Sequence, residues 1–165
     1  LQKQKKPINM GHFDKLQAKN IVAAEVKARY SQMPVVALGD ADATLNFDDH
    51  AGRTILLGAI GSNRTYTLPS DPEDGDCYHF VYVNSAAETE NHLISAGTGN
   101  ARYFSGVIAH LDTNADNVAV YSNGSSNELL TITDTGFADI WCVADGAEWK
   151  IWGYAISATA PAFAD

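Results

Sequence analysis

Short apolar runs, separated by residues that form turns, recur at a regular spacing between Val35 and Ala155. Val, Ile, Thr and aromatic residues dominate the runs, whereas Gly, Asn, Asp, Ser and Pro fill the gaps. No run keeps a helical period over two turns, so the pattern predicts many short β-strands in a sandwich or barrel. The predicted strands are Val35–Leu38, Ala43–Phe47, Thr54–Ala59, Thr65–Leu68, Cys77–Asn84, His92–Ala96, Gly106–Leu111, Asn117–Tyr121, Leu129–Thr133, Ala138–Ala144 and Trp149–Ala155.

The connections between these runs are too short for parallel crossovers, which predicts mainly antiparallel pairing. We therefore expect an all-β fold, an antiparallel β-sandwich of jelly-roll type, over residues 35–156. A basic arm over residues 1–34 precedes it, and a tail over residues 157–165 follows it as an extended or fraying end. Residues 12–30 suit a short helix and an extended segment equally, so both forms of the arm stay open.

The segment from Phe137 to Tyr154 holds all three tryptophans and predicts a β-hairpin around Asp145 and Gly146. A two-residue loop at that dipeptide predicts the cross-strand pairs Cys142–Trp149, Ile140–Ile151 and Trp141–Lys150. Side chains alternate along a strand. The predicted core face carries Ile140, Cys142, Trp149 and Ile151. The opposite face carries Trp141, Val143 and Trp152, so another sheet, subunit or partner should cover it.

The strand Cys77–Asn84 is apolar on both faces. One face carries Tyr78, Phe80 and Tyr82, and the other carries Cys77, His79, Val81 and Val83. This predicts a central strand, or one covered on both sides. Together with the exposed tryptophans, it indicates an oligomer. The candidate interface residues are Trp141, Val143, Trp152, Tyr78, Phe80 and Tyr82.

Charge is distributed unevenly along the chain, whose net charge is −9. Residues 1–30 carry seven basic and two acidic side chains, whereas the remainder carries four basic and eighteen acidic ones. The basic arm suits either a solvated tail or a segment that docks on an acidic surface. The acidic body argues against nucleic acid, and no apolar stretch is long enough for a transmembrane helix. The cations of the arm are Lys3, Lys5, Lys6, Lys15, Lys19, Lys27 and Arg29.

Motifs that carry chemistry are missing from the sequence: it has no P-loop, dinucleotide-binding glycine motif, zinc-protease motif, nucleophile elbow or CxxC pair. The five histidines have no metal-ligand spacing, and His79 is expected to be a half-buried strand histidine. The acidic loop from Asp71 to Asp76 lacks the ligand spacing of a calcium-binding loop. We therefore predict no enzyme, no metal and no cofactor. Two strand cysteines without a secretion signal favour free thiols in a reducing cytoplasm.

Several segments follow one order of strands and turns across residues 45–155. They are His50–Thr54, Thr65–Pro69, Tyr78–Asn84, His92–Ile94, Phe104–Ile108, Val143–Gly146 and Trp149–Gly153. This order resembles that of small β-rich structural proteins of tailed bacteriophages. It is similar to capsid decoration (cement) proteins and to modules of head or tail fibres.

The resemblance implies a virion structural protein without enzymatic activity, assembled in the host cytoplasm and located on the capsid exterior. Such a protein binds the major capsid protein of an icosahedral head, often as a homotrimer, and stabilises contacts between capsomers. The basic arm would then bind the capsid, since an extended segment of thirty residues spans about 100 Å. The alternative is a phage fibre or receptor-binding module that recognises a host surface glycan through exposed aromatic residues.

Overall fold

The structure is a computed structural model that describes residues 34–83, 89–99, 101–111 and 117–165. The seven cations of the basic arm and its predicted helix or extended segment lie outside the described residues. The strands are β1 (Val35–Leu38), β2 (Ala43–Thr44), β3 (Thr54–Leu57), β4 (Arg64–Thr67), β5 (Cys77–Val83), β6 (His92–Ser95), β7 (Tyr103–Leu111), β8 (Val118–Tyr121), β9 (Leu129–Ile132), β10 (Thr135–Asp145), β11 (Glu148–Ser157) and β12 (Ala162–Ala164). One helical turn, α1 (Phe47–His50), follows β2.

The strands form two sheets. The large sheet has seven strands in the order β1-β3-β5-β10-β11-β7-β8, and the small sheet has five in the order β12-β9-β6-β4-β2. Aromatic rings of the two sheets meet in the core. The ring centroids of Tyr66 in β4 and Phe80 in β5 are 6.5 Å apart, and those of Phe104 in β7 and Phe163 in β12 are 6.0 Å apart. The predicted all-β sandwich is therefore confirmed, with one hydrophobic core between its sheets.

The expectation of mainly antiparallel pairing is wrong, because five of the ten strand pairings among the described residues are parallel. The first six strands alternate between the sheets, so that β1, β3 and β5 stack in parallel in one sheet and β2, β4 and β6 in the other. Each connection between these parallel neighbours thus contains a strand of the opposite sheet. This coiled path differs from the antiparallel Greek keys of a jelly roll.

The hairpin of β10 and β11 exists, but its predicted register is wrong by two residues. Gly146 and Ala147 form the loop, and only Gly146 takes a positive φ, of 61°. That is the position at which a type II′ turn needs glycine. The observed partners are Cys142–Ile151, Val143–Lys150 and Trp141–Trp152. Because a shift of two residues keeps every side chain on its face, the predicted core face and outer face are both confirmed.

The C-terminal end of the chain is tied to the small sheet. Residues Ala162–Ala164 pair with β9, and the Asp165 carboxylate accepts hydrogen bonds from Ser126 Oγ at 2.8 Å and Asn127 Nδ2 at 3.1 Å. Of the two predicted forms of this tail, the extended one is found and the fraying one is wrong, because Ala162–Ala164 form a paired strand. The added strand covers Phe104 with Phe163 and so extends the core.

Candidate functional site: the outer face of the large sheet

The outer face of the large sheet, which points away from the core, carries two rows of register partners. Each row takes one side chain from each of the seven strands. The aromatic row is Val35, Thr54, His79, Trp141, Trp152, Val107 and Tyr121. The second row is Ala37, Leu56, Val81, Asp139, Tyr154, Ala109 and Ala119.

The two rows are almost uncharged. They contain no lysine or arginine, and Asp139 is their one carboxylate. The chain as a whole carries twenty acidic residues against eleven basic ones. Depletion of charge with enrichment of aromatic residues distinguishes the centre of protein interfaces from the rest of a protein surface.

Large apolar side chains are exposed mainly on this face. Of the eight that are exposed in the described part of the chain, six belong to it, including Trp152 at 45% and Tyr121 at 71% of full exposure. The other four are Val35, Leu56, Leu111 and Tyr154. Most single exposed apolar residues need no explanation, but a contiguous group marks a binding surface or an aggregation hazard.

The rings of the aromatic row stand one behind another. The His79 imidazole stacks on Trp141 with centroids 3.9 Å apart and planes at 12°, and Trp141 faces Trp152 at 6.4 Å and 5°. Beside them, Phe137 and Tyr154 stack at 5.4 Å and 16°. His79 therefore covers one face of Trp141, and the row presents ring edges to a partner more than open ring faces.

A polar cluster lies at the centre of this face. His79 Nε2 is 2.9 Å from Asp139 Oδ1, and His79 Nδ1 is 3.3 Å from Thr54 Oγ1. If Nε2 carries the proton, it donates to Asp139 while Nδ1 accepts from the Thr54 hydroxyl. The His79 side chain keeps only 12% of its full exposure. The expected half-buried strand histidine is thus confirmed, and its ring is fixed on both nitrogens and on one face.

Charged groups border the outer face near the hairpin loop. The Lys150 ammonium contacts the Glu148 carboxylate and lies 3.7 Å from Asp145. Its hydrogen bond lowers the pKa of Glu148, and the same contact raises the pKa of Lys150. Burial raises the pKa of the Cys77 thiol, which is free, at the edge of the face. This border resembles the polar rim of an interface more than a reactive centre.

The structure separates the predicted interface residues into two groups. Trp141, Val143 and Trp152 lie on the outer face. The prediction for Tyr78, Phe80 and Tyr82 is wrong, because all three are fully buried in the chain's own core and offer no area to another subunit. The central position of β5, between β3 and β10, is confirmed.

Sequence patterns did not single out Asp139, Tyr154 and Tyr121 as members of the same surface as the tryptophans. Asp139 and Tyr154 alternate with Trp141 and Trp152 along the hairpin, so the face count already held a signal for them. No local signal exists for Tyr121 or His79, since their strands join the hairpin only through long-range pairing.

Within the described ranges, no three histidine, cysteine or acidic side chains converge in an arrangement suited to a metal ion. No helix in that part of the chain has the length and apolar character needed to cross a membrane. No protein-family model matches the chain, and no curated protein matches it in sequence.

Proposed function

We propose that this protein is a structural protein of a tailed-phage virion, a capsid decoration protein. It binds the outer surface of an icosahedral head, holds neighbouring capsomers of the major capsid protein together, and acts as a homotrimer. It performs no enzymatic reaction and binds neither nucleic acid nor membrane. The observation that carries the proposal is the nearly uncharged aromatic outer face of the large sheet, on an otherwise acidic body.

The size of this face supports a role in assembly. Six inter-strand spacings of about 4.8 Å make each row about 29 Å long. One further side-chain position on either side of the two rows, which includes the charged border at Lys150, extends the patch to about 20 Å along the central strands. The patch with this border is thus roughly 600 Å² on each copy, close to the about 800 Å² that one partner buries in a specific interface of standard size. In the homotrimer, each copy turns this face towards the three-fold axis and shares it between its two neighbours.

The charge distribution supports a second contact, with the shell. Seven cations lie in the first 30 residues of a chain whose remaining residues are strongly acidic. This segment fits an acidic capsid surface, and three copies on one trimer would bind with the avidity of linked sites. The self-contact and the shell contact therefore use different parts of the chain.

Cosedimentation with empty capsid shells assembled without this protein tests the proposal. The full chain should pellet with expanded shells, and deletion of residues 1–30 should abolish pelleting while circular dichroism of the β-body stays unchanged. A full-length variant with its seven arm cations replaced by glutamine separates charge from length, and should lose most of the binding in low salt. Undiminished attachment of the deletion variant would contradict the proposal.

A second candidate is a fibre module that recognises host glycan. The exposed Trp152, diagonal to the Asp139 carboxylate across the hairpin, favours it, because sugars bind to aromatic surfaces next to polar groups. The stacking of His79 on Trp141 speaks against it, since one face of that indole is already covered. Glycan-array binding that is lost in Trp152→Ser, without shell binding by the wild type, would favour this candidate instead.

A further inference from the structure

We infer that docking of the aromatic face on a second copy of this chain is coupled to proton uptake by the His79–Asp139 pair. The inference rests on the proposed self-association and adds its regulation. Association should strengthen as the pH falls from 8 to 6. It should depend on two side chains at the centre of the face, which no sequence pattern identified as interface residues.

The His79–Asp139 pair lies where a partner docked on the aromatic face would cover it. His79 and Asp139 belong to adjacent rows and adjacent strands, so a partner that covers Trp141 and Trp152 also covers them. His79 Nε2 and Asp139 Oδ1 are 2.9 Å apart, and the His79 imidazole lies flat against the Trp141 ring. Docking therefore removes the pair from water together with the indoles.

The net charge of the His79–Asp139 pair sets the direction of the pH dependence. With a neutral imidazole the pair carries one negative charge, which belongs to Asp139, and burying an uncompensated carboxylate is costly. Uptake of one proton makes the pair neutral overall, whichever of the two groups holds it. Histidine is the side chain that ordinarily changes charge between about pH 5 and 8. Docking thus favours the protonated pair, and by linkage protonation favours docking.

Among the described residues, His79 is the side chain that pairs with the Asp139 carboxylate, and the register partner of Asp139 on β11 is Tyr154. Thr54 of β3 is uncharged, and on β10 the ring of Trp141 covers the imidazole. Lys150 of β11 is held at the border by Glu148 and Asp145. On β5 itself the neighbours on the face are Cys77 and Val81. Within the described part of the chain, a proton is therefore the way to neutralise this carboxylate.

Sedimentation velocity of the full chain between pH 8 and pH 6 tests the inference. The association constant of the wild type should rise with falling pH, by at most about tenfold per pH unit for each proton taken up. His79→Gln keeps the Asp139 charge and should associate weakly at both pH values. Asp139→Asn removes that charge and should associate at pH 8 as strongly as the wild type does at pH 6.

The variants distinguish the inference from the proposed function. If Trp152→Ser abolishes association but the wild type shows no pH dependence, the proton coupling is wrong and the docking face stands. If His79→Gln keeps the full pH dependence, or Asp139→Asn weakens association, the coupling is likewise overturned. If the wild type does not associate at either pH, or Trp152→Ser associates normally, the face itself is refuted and the coupling with it.

Discussion

Trp141 and Trp152 lie directly opposite each other on the two strands of one hairpin, with their ring planes within 5° and their centroids 6.4 Å apart. The third tryptophan, Trp149, points to the other side of the same hairpin and is fully buried, packing edge-on against Tyr78 at 5.6 Å. The hairpin therefore anchors the core with one face and supplies the centre of the outer surface with the other. Mutations in it must be interpreted with both faces in mind.

Replacement of Gly153 by alanine should destabilise the fold, because the backbone of β11 approaches β10 closely there. A Cβ atom at this position would lie 2.1 Å from the Asp139 carbonyl oxygen, and the residue has a φ of +146°. We expect a loss of at least about 2 kcal/mol in the free energy of unfolding, measured by chemical denaturation. Gly39→Ala, where nothing lies within 4 Å of the added carbon, is the matched control and should change little. Equal stability of both variants would contradict the close approach.

Replacement of Tyr78 by phenylalanine should leave the oligomeric state unchanged and should not weaken the fold. The Tyr78 hydroxyl is buried and has no hydrogen-bond partner among the described residues. Removing it should be neutral or stabilise by up to about 1 kcal/mol in chemical denaturation. A clear loss of stability would show that the hydroxyl is hydrogen-bonded in solution.

Tyr78→Phe should also make the stability of the fold less sensitive to alkali. Burial, with the nearby Asp76 charge, raises the pKa of Tyr78 from 10.0 to about 12. A raised folded-state pKa gives stability that is present below pH 10 and lost as the pH rises towards 12. Between these values the wild type should lose more stability than Tyr78→Phe, as measured by urea denaturation. Parallel curves for the two proteins would contradict burial of the phenol.

The contact of Asp40, in the turn between β1 and β2, with the connection from β3 to β4 should be sensitive to acid. Its carboxylate accepts hydrogen bonds from Arg64 Nε at 2.6 Å and from the Gly61 amide at 3.1 Å, and these hold the pKa of Asp40 below its ordinary value. A lowered folded-state pKa gives stability that is present above about pH 4 and lost as the pH falls further.

Thermal melts between pH 5 and pH 3 check the predicted loss of stability in acid through Asp40. The wild type should lose more of its Tm over that range than Asp40→Asn does, because the variant has no carboxylate to protonate there. Asp48→Asn, which replaces an exposed carboxylate on α1, should follow the wild type. An equal acid-induced decrease in Tm for the wild type and Asp40→Asn would show that the contact with Arg64 has no effect on stability.

Local patterns in the sequence were sufficient to locate the strands and the faces of the hairpin. The alternation around Trp141 and Trp152 placed them outward even though the predicted loop was one residue away from the real one. Side chains point to the same face at every second residue of a strand, so a register error of two residues leaves the face assignment unchanged. A strand occurs at each of the eleven predicted positions, but the one predicted over Ala43–Phe47 keeps only Ala43–Thr44, because Phe47 begins α1. The unpredicted β12 is only three residues long.

Local sequence patterns do not show which distant strands pair with each other. Both faces of β5 are apolar, so its sequence did not show that Tyr78 points inward and His79 outward. The parallel coil of the first six strands depends on partners about 19 to 28 residues apart in the chain, whose relation leaves no periodic trace at each strand. For the same reason the sequence showed the tryptophans but not the His79–Asp139 pair beside them.

Sedimentation equilibrium of the wild type, Trp152→Ser and Phe47→Ser tests the central claim most directly. Phe47 is a matched control because it is an exposed aromatic side chain outside the outer face. We predict a trimer for the wild type and for Phe47→Ser. Trp152→Ser should associate at least about thirtyfold more weakly, as expected for a tryptophan at the centre of an interface. A monomeric wild type at pH 6, or a trimer of undiminished stability in Trp152→Ser, would contradict the account.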